Sequence, residues 1–236
     1  MPTKKRPFTA FTLVELLVVI GIISVLMGIL VPSLNAAKAY AKKVRCKNNL
    51  RQINIALNLY LQSNNDTYPY AQDPLPSGHW LWMGRGWRDF IKPYLTNSID
   101  DKNPSVLWCT IDLKSQDIYE STSYSYSMSF YHSPEQINQM TSPAHTYGSV
   151  SLESIPQRPS QIKRPAEKII VGEWLSNHMK IQDDKGWWCG EGARNYLFAD
   201  GQVMFIKAAD IETANDGFPN PNLTIDGIKG SDYISR

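Results

Sequence analysis

One 21-residue stretch, FTLVELLVVIGIISVLMGILV at residues 11–31, constrains this chain more than any other feature. Its only polar side chains are Thr12, Glu15 and Ser24. As a helix it covers roughly 31 Å, about one hydrocarbon core. A core helix of a soluble protein carries a polar stripe along one side, and this segment has almost none. It therefore reads as a single membrane span. A removable secretory signal is the competing explanation, and Lys4, Lys5 and Arg6 fit its basic start. Such signals, however, keep their apolar region to about 7–15 residues and follow it with a small-residue cleavage site. Here Val31-Pro32-Ser33-Leu34-Asn35 runs on into a helical pattern, so the span is expected to be retained.

Charge divides the chain in the same place. The formal net charge is +2, but residues 1–51 hold nine basic side chains and a single acid, Glu15. The remainder carries fifteen basic and twenty-one acidic side chains. An acidic body lacks the basic face that phosphate neutralisation needs, so no nucleic-acid partner is expected. Apolar residues at 42% suffice for a packed core, which excludes wholesale disorder. With one long apolar run, a multi-span membrane protein is excluded as well.

Glu15 is the residue that asks for an explanation. A carboxylate within a bilayer costs roughly 2.5–3.5 kcal/mol on insertion scales and is usually functional. A basic leader, then Phe11-Thr12-Leu13-Val14-Glu15, then an uninterrupted apolar run resembles the N-terminus of type IV pilins and type II secretion pseudopilins. The resemblance implies cutting by a prepilin peptidase between Ala10 and Phe11, methylation of the new Phe11 amine, and retention of Glu15 as the fifth mature residue. It departs from the family at Ala10, where Gly is usual. It implies a bacterial cytoplasmic membrane location, a single pass, a cytoplasmic N-terminus, and a C-terminal domain that is periplasmic or extracellular. Expected partners are the peptidase, a secretion or pilus assembly platform, and homologous pilin-like subunits. The physics agrees with a filament: a cationic Phe11 amine on one subunit and Glu15 on the next would neutralise each other in low dielectric.

Beyond Pro32 the helical pattern resumes. Cys46, Leu50, Ile53, Leu57 and Tyr60 follow steps of four and three, and Asn64, Asn65 and Asp66 end the run. The six cations from Lys38 to Arg51 admit two readings, a contact with anionic lipid or a neighbouring acidic body, and a solvated helix face. Residues 67–236 read as short strands and turns. Two alternating runs flank Asp200-Gly201, which predicts a hairpin with a two-residue type I′ turn. Residues 169–174 and 123–128 are further strand candidates, and 218–236 reads as an irregular tail. The organisation is thus a leader over 1–10, a membrane or filament-core helix over 11–31, an amphipathic helix over 32–66 and a β-rich domain over 67–236. The fold class is α+β and pilin-like, a long N-terminal helix packed on an antiparallel β-rich domain.

A second resemblance covers the body. Cys46 to Ile53, Tyr68-Pro69, Leu107-Trp108-Cys109, Arg164 to Lys168 and Asn195 to Gly201 are similar to a pilin-like family whose large soluble domain has no assigned function. That family's processing-associated signature is a His, nine residues, then Asp-Gly. Asp200-Gly201 matches it, but Gly190 stands where the His belongs.

Cys46, Cys109 and Cys189 allow three pairings, each leaving one thiol. Cys46–Cys109 is favoured because it would staple the helix to the body; unpaired buried thiols are the other possibility. No metal and no cofactor is expected: Cys-x-x-Cys is absent, and His79, His132, His145 and His178 show no ligand spacing. Asp216, Asp226 and Asp232 offer oxygens for calcium but match no defined loop. Neither a nucleophile motif nor a phosphate loop is present, and the acids Glu173, Asp183, Asp184 and Glu191 form no recognisable catalytic pair, so an enzyme is not expected. The tryptophans of residues 80–87 and Trp187-Trp188 support an alternative function, a surface-displayed, polysaccharide-binding protein on a pilin-like stem, or else they belong to the core.

Overall fold

The computed structural model describes residues 12–71, 86–95, 106–112, 122–146, 152–179, 181, 184, 186 and 190–234. The chain divides into two compact units, Met1–Ala41 and Lys42–Arg236. Helix α1, Leu13–Ser63, passes from one to the other with Pro32 inside it. Its end follows from the sequence. Asn65 and Asp66 both adopt left-handed backbone, φ 53° in each case, which short polar side chains tolerate best. The amide of Asp66 reaches back to the Leu61 carbonyl, closing the last turn.

In the second unit, Cys46, Leu50, Ile53, Leu57 and Tyr60 are all buried, joined by Asn49, Ala56 and Leu61. They pack against one four-stranded antiparallel sheet in the order β1 (Tyr124–Tyr126), β2 (Ile169–Glu173), β3 (Ala193–Phe198), β4 (Val203–Lys207). The register pairs Tyr126 with Val171, Gly172 with Tyr196, and Leu197 with Val203. An irregularity between Ile169 and Val171 shifts the β2–β3 register, while on the other edge of β2 the Ile170 carbonyl accepts from the Ser127 amide and continues the pairing with β1. Two short helices, α2 (Trp87–Ile91) and α3 (Pro134–Gln139), and several 3₁₀ turns complete the described regular structure. Ser133-Pro134-Glu135-Gln136 starts α3 with a capping box: the Gln136 amide donates to Ser133 Oγ, and the Ser133 amide donates to Gln136 Oε1.

The β3–β4 hairpin corrects the expected turn. Asp200 does not have positive φ, as a type I′ turn requires, whereas Gly201 has φ +88°. Gly201 N–H donates to the Phe198 carbonyl, and Phe198 N–H donates to the Gln202 carbonyl. The loop is therefore three residues, Ala199-Asp200-Gly201, with the glycine in the left-handed position. Asp200 holds it from outside by accepting the Gln202 amide at 2.9 Å. A Cβ at Gly201 would meet Asn54 Nδ2 of α1 at 2.7 Å, so helix and hairpin approach closely here.

The segment read as an irregular tail has little regular structure, yet it is fixed. Leu223, Ile228, Asn222 and Asp232 are buried within it. Asp232 Oδ2 lies 3.1 Å from Lys168 Nζ and accepts the Ile169 amide at the start of β2. Lys168 also donates to Thr224 Oγ1 at 2.6 Å, and the Thr224 hydroxyl donates to Asp232 Oδ1. Burial pushes the Lys168 ammonium below its ordinary value and the Asp232 carboxyl above its own, and each is opposed by the other's charge. Hydrogen bonds are what make such a desolvated pair tolerable, so removing one member should cost more than removing both. Lys168→Met is expected to lower stability by about 3–5 kcal/mol. The double variant with Asp232→Asn should recover part of that loss in denaturant unfolding.

Candidate functional site

The first unit presents its apolar surface outward. Sixteen large apolar side chains from Leu13 to Leu34 are exposed, Leu13 at 77%. None of the helix's membrane-length apolar window is buried by the rest of the described chain. Burying one such side chain is worth about 1.5–3 kcal/mol, so the segment forgoes tens of kcal/mol unless lipid or other helices cover it. Glu15 lies near its start. The carboxylate Oε2 accepts from the Thr12 amide at 2.9 Å and from the Thr12 hydroxyl at 2.7 Å, while Thr12 Oγ1 accepts the Glu15 amide. This is a capping box, Thr12-x-x-Glu15, readable in the sequence once Thr12 is taken as the N-cap. It satisfies orphan donors at the helix start with the one acid the segment contains. Ala10 and Phe11 lie outside the described residues.

The second unit contains a covalent tie. Cys46 of α1 and Cys109 are joined by a disulfide with Cα atoms 5.1 Å apart, 63 residues apart in sequence. Around it the helix is held by polar bonds as well. Asn49 Nδ2 donates to the Trp108 carbonyl at 2.7 Å, and the Tyr124 hydroxyl of β1 donates to the Cys46 carbonyl at 3.3 Å. Burial, reinforced by the nearby Glu173 charge, holds the Tyr124 phenol well above its usual range, so it remains a donor. Cys189 lies outside the described residues.

Glu173 and His178 flank the disulfide. The carboxylate is fully buried and accepts from the Asn195 amide, from Asn195 Nδ2 and from His178 Nε2. His178 Nε2 is also 3.6 Å from Cys109 Sγ. The four side chains come from α1, the Leu107–Cys109 segment, β2 and the turn after it, which is why spacing along the chain does not reveal them. Of the remaining acids, Asp184 binds Arg194 at 2.6 Å and Glu191 is exposed; Asp183 lies outside the described residues.

The other residues singled out in the sequence have structural partners. Asp216 accepts from Asn220, Asp226 from Asn138 and Asp232 from Ile169, and among the described residues the three do not converge on a common ligand site. Gly190, standing where the processing signature has His, has φ +73°, and a Cβ there would approach Pro219 to 2.9 Å. A histidine does not fit this position without rearrangement. Among the basic helix residues, Lys43 lies over the Phe205 ring, 3.2 Å from its centroid, and burial lowers its pKa against the opposing Glu173 charge. Trp87 is buried and stacks on Tyr126 at 5.3 Å, so it belongs to the core. Trp80, Trp82, Trp187 and Trp188 lie outside the described residues.

Residues 5–31 match the family described as the prokaryotic N-terminal methylation motif. The match spans the end of the leader, Phe11, Glu15 and the apolar run through Val31. The chain thus carries the motif of type IV pilin-like and pseudopilin-like precursors. No curated protein and no solved structure matches the chain.

Removing the disulfide should lower stability by about 2–4 kcal/mol, because it closes a long loop in the unfolded chain. Cys46→Ser, Cys109→Ser and the double variant should lose similar amounts in denaturant unfolding without reductant, since each deletes the same bond.

Proposed function

We propose that this chain is a structural subunit of a type II secretion pseudopilus or a type IV pilus-like filament, without enzymatic activity of its own. The observation that carries the reading is the methylation motif over residues 5–31, coincident with a helix whose apolar surface nothing in the described chain buries. In this reading the precursor sits in the cytoplasmic membrane as a single-pass protein, with its N-terminus cytoplasmic and residues 67–236 on the periplasmic or extracellular side. Prepilin peptidase cuts between Ala10 and Phe11, and the Phe11 amine is methylated. An assembly platform then transfers the helix from lipid into a bundle of like helices.

Glu15 gives that transfer its register. In lipid the capping box serves its carboxylate through Thr12. The arriving Phe11 amine of a neighbouring subunit adds the opposite charge that Thr12 lacks. Leu13 to Val31 supply the packing area. Charge bias along the chain does not set the orientation alone, because more cations follow the span than precede it. The leader does, since the peptidase acts on the cytoplasmic side.

Intact-mass analysis of the purified protein tests the processing step: the N-terminus should be a methylated Phe11. Ala10→Lys should leave the leader attached, and a normally trimmed product would refute the site. Glu15 separates two roles by its variants. Glu15→Gln keeps an acceptor for Thr12 but removes the charge, whereas Glu15→Ala removes both. If the charge pair drives docking, both variants should insert into membranes yet yield filaments at a level reduced about tenfold or more, a loss of about 1.4 kcal/mol per tenfold. Full assembly of Glu15→Gln would assign Glu15 to helix capping alone.

A further inference from the structure

The disulfide, the buried acid and the imidazole beside it meet the requirements of a second chemistry that the filament reading does not use. The candidate ligand atoms of Cys46, Cys109, Glu173 and His178 all lie within 4.8 Å of one another. We propose that in the dithiol state these four side chains form a tetrahedral Zn²⁺ site, so that metal and disulfide are alternative occupants of one place in the fold.

Zinc bound to sulfur at ~2.3 Å and nitrogen at ~2.0 Å in a tetrahedron sets those two ligands roughly 3.5 Å apart, and nitrogen and oxygen roughly 3.3 Å apart. The corresponding distances are 3.6 Å for Cys109 Sγ to His178 Nε2 and 3.0 Å for His178 Nε2 to Glu173 Oε1. Side-chain adjustments of a few tenths of an ångström accommodate both. The two sulfurs of such a tetrahedron stand roughly 3.8 Å apart, so the S–S bond and the metal exclude each other.

The surroundings suit the ion. His178 turns Nε2 toward the sulfur and the carboxylate, and its buried Nδ1 has no hydrogen-bond partner among the described residues. Carrying its proton on Nδ1 frees the Nε2 lone pair for metal, at the cost of the Glu173 bond and of a buried Nδ1–H without a partner among the described residues. Asn195 orients the carboxylate from behind through two hydrogen bonds at 2.9 and 3.0 Å, the outer-shell support that metal ligands require. Two thiolates, a carboxylate and Zn²⁺ leave one negative charge, and Lys43, which feels the Glu173 charge, lies on the same side of the fold against Phe205. Phe205 in turn packs edge-on to the His178 ring. Two soft sulfurs with nitrogen and oxygen favour zinc over calcium or magnesium.

The chemistry balances. A dithiol reductant reduces the disulfide by two electrons and two protons and becomes a disulfide itself, leaving Cys46 and Cys109 as thiols. Zn²⁺ then replaces the two thiol protons, which pass to solvent. In the reverse direction a disulfide oxidant takes two electrons from the thiolates and two protons from solvent to become a dithiol, the S–S bond re-forms and Zn²⁺ is released.

The test uses the full chain in detergent, reduced with a phosphine under anaerobic conditions and titrated with Co²⁺ and then Zn²⁺ alone. One equivalent of Co²⁺ should give the intense visible bands of a tetrahedral thiolate complex, and Zn²⁺ should abolish them. Unreduced protein should give none. His178→Ala and Glu173→Gln should each weaken Co²⁺ binding about tenfold or more, and circular dichroism should show that both remain folded; a variant that unfolds is replaced by His178→Gln. Cys189→Ser should bind as the parent does. Absence of a stoichiometric Co²⁺ spectrum in the reduced chain would overturn the proposal. Dependence of that spectrum on Cys189, or its indifference to His178 and Glu173, would overturn it equally.

Discussion

The structure depends first on an apolar helix surface that the described residues do not cover. From Leu13 to Leu34 sixteen large apolar side chains of α1 are exposed. A soluble monomer with such a surface would aggregate, so the segment presupposes an apolar environment supplied from outside. The chain is therefore specified twice: once for a fold, in its second unit, and once for an environment, in its first. Within the first unit a single carboxylate breaks the apolar run, and it is placed where a helix start can use it. Capping supplies the Glu15 carboxylate with hydrogen bonds from Thr12 without neutralising its charge.

The second unit solves a different problem. Among its described residues few are in strands, and it holds a long amphipathic helix by polar and covalent ties as much as by packing. Asn49 and Tyr124 bond across the helix–sheet junction, the disulfide closes it, and the Lys168–Asp232 pair pins the chain's end to the start of β2. Buried polar groups of this kind add less net stability than their number suggests, but they fix register, because a shifted arrangement would leave each of them unpaired. Gly201 works in the same sense, since its φ of +88° favours glycine where the hairpin closes beside Asn54.

The legible parts of the fold are those set by local rules. The helix, its buried stripe, its end at Asn65-Asp66, the hairpin about Asp200-Gly201 and strands β1 and β2 all follow from periodicity and turn chemistry acting over a few residues. The hairpin loop differs by one residue from its expected length because Asp-Gly serves both a two-residue turn and a three-residue loop, and the register of Leu197 with Val203 decides between them. Two capping boxes, Thr12-x-x-Glu15 and Ser133-x-x-Gln136, are present in the sequence but easily overlooked, the first because Glu15 stands out as a membrane acid. The favoured Cys46–Cys109 pairing is the one present, but the fixed tail and the approach of Glu173 and His178 to that pair are not legible. Their members meet only after distant segments pack, and neither a spacing nor a composition encodes that.

The two specifications also differ in how tightly they bind the sequence. Residues 5–31 carry a family motif that takes in the apolar run and its one acid, Glu15. The body has a looser requirement, a stable junction to α1, and the matched family motif ends before it, at residue 31. The Cys46–Cys109 bond lies in that junction, on the same helix that continues into the apolar segment. The bond ties α1 to the Leu107–Cys109 segment within the second unit.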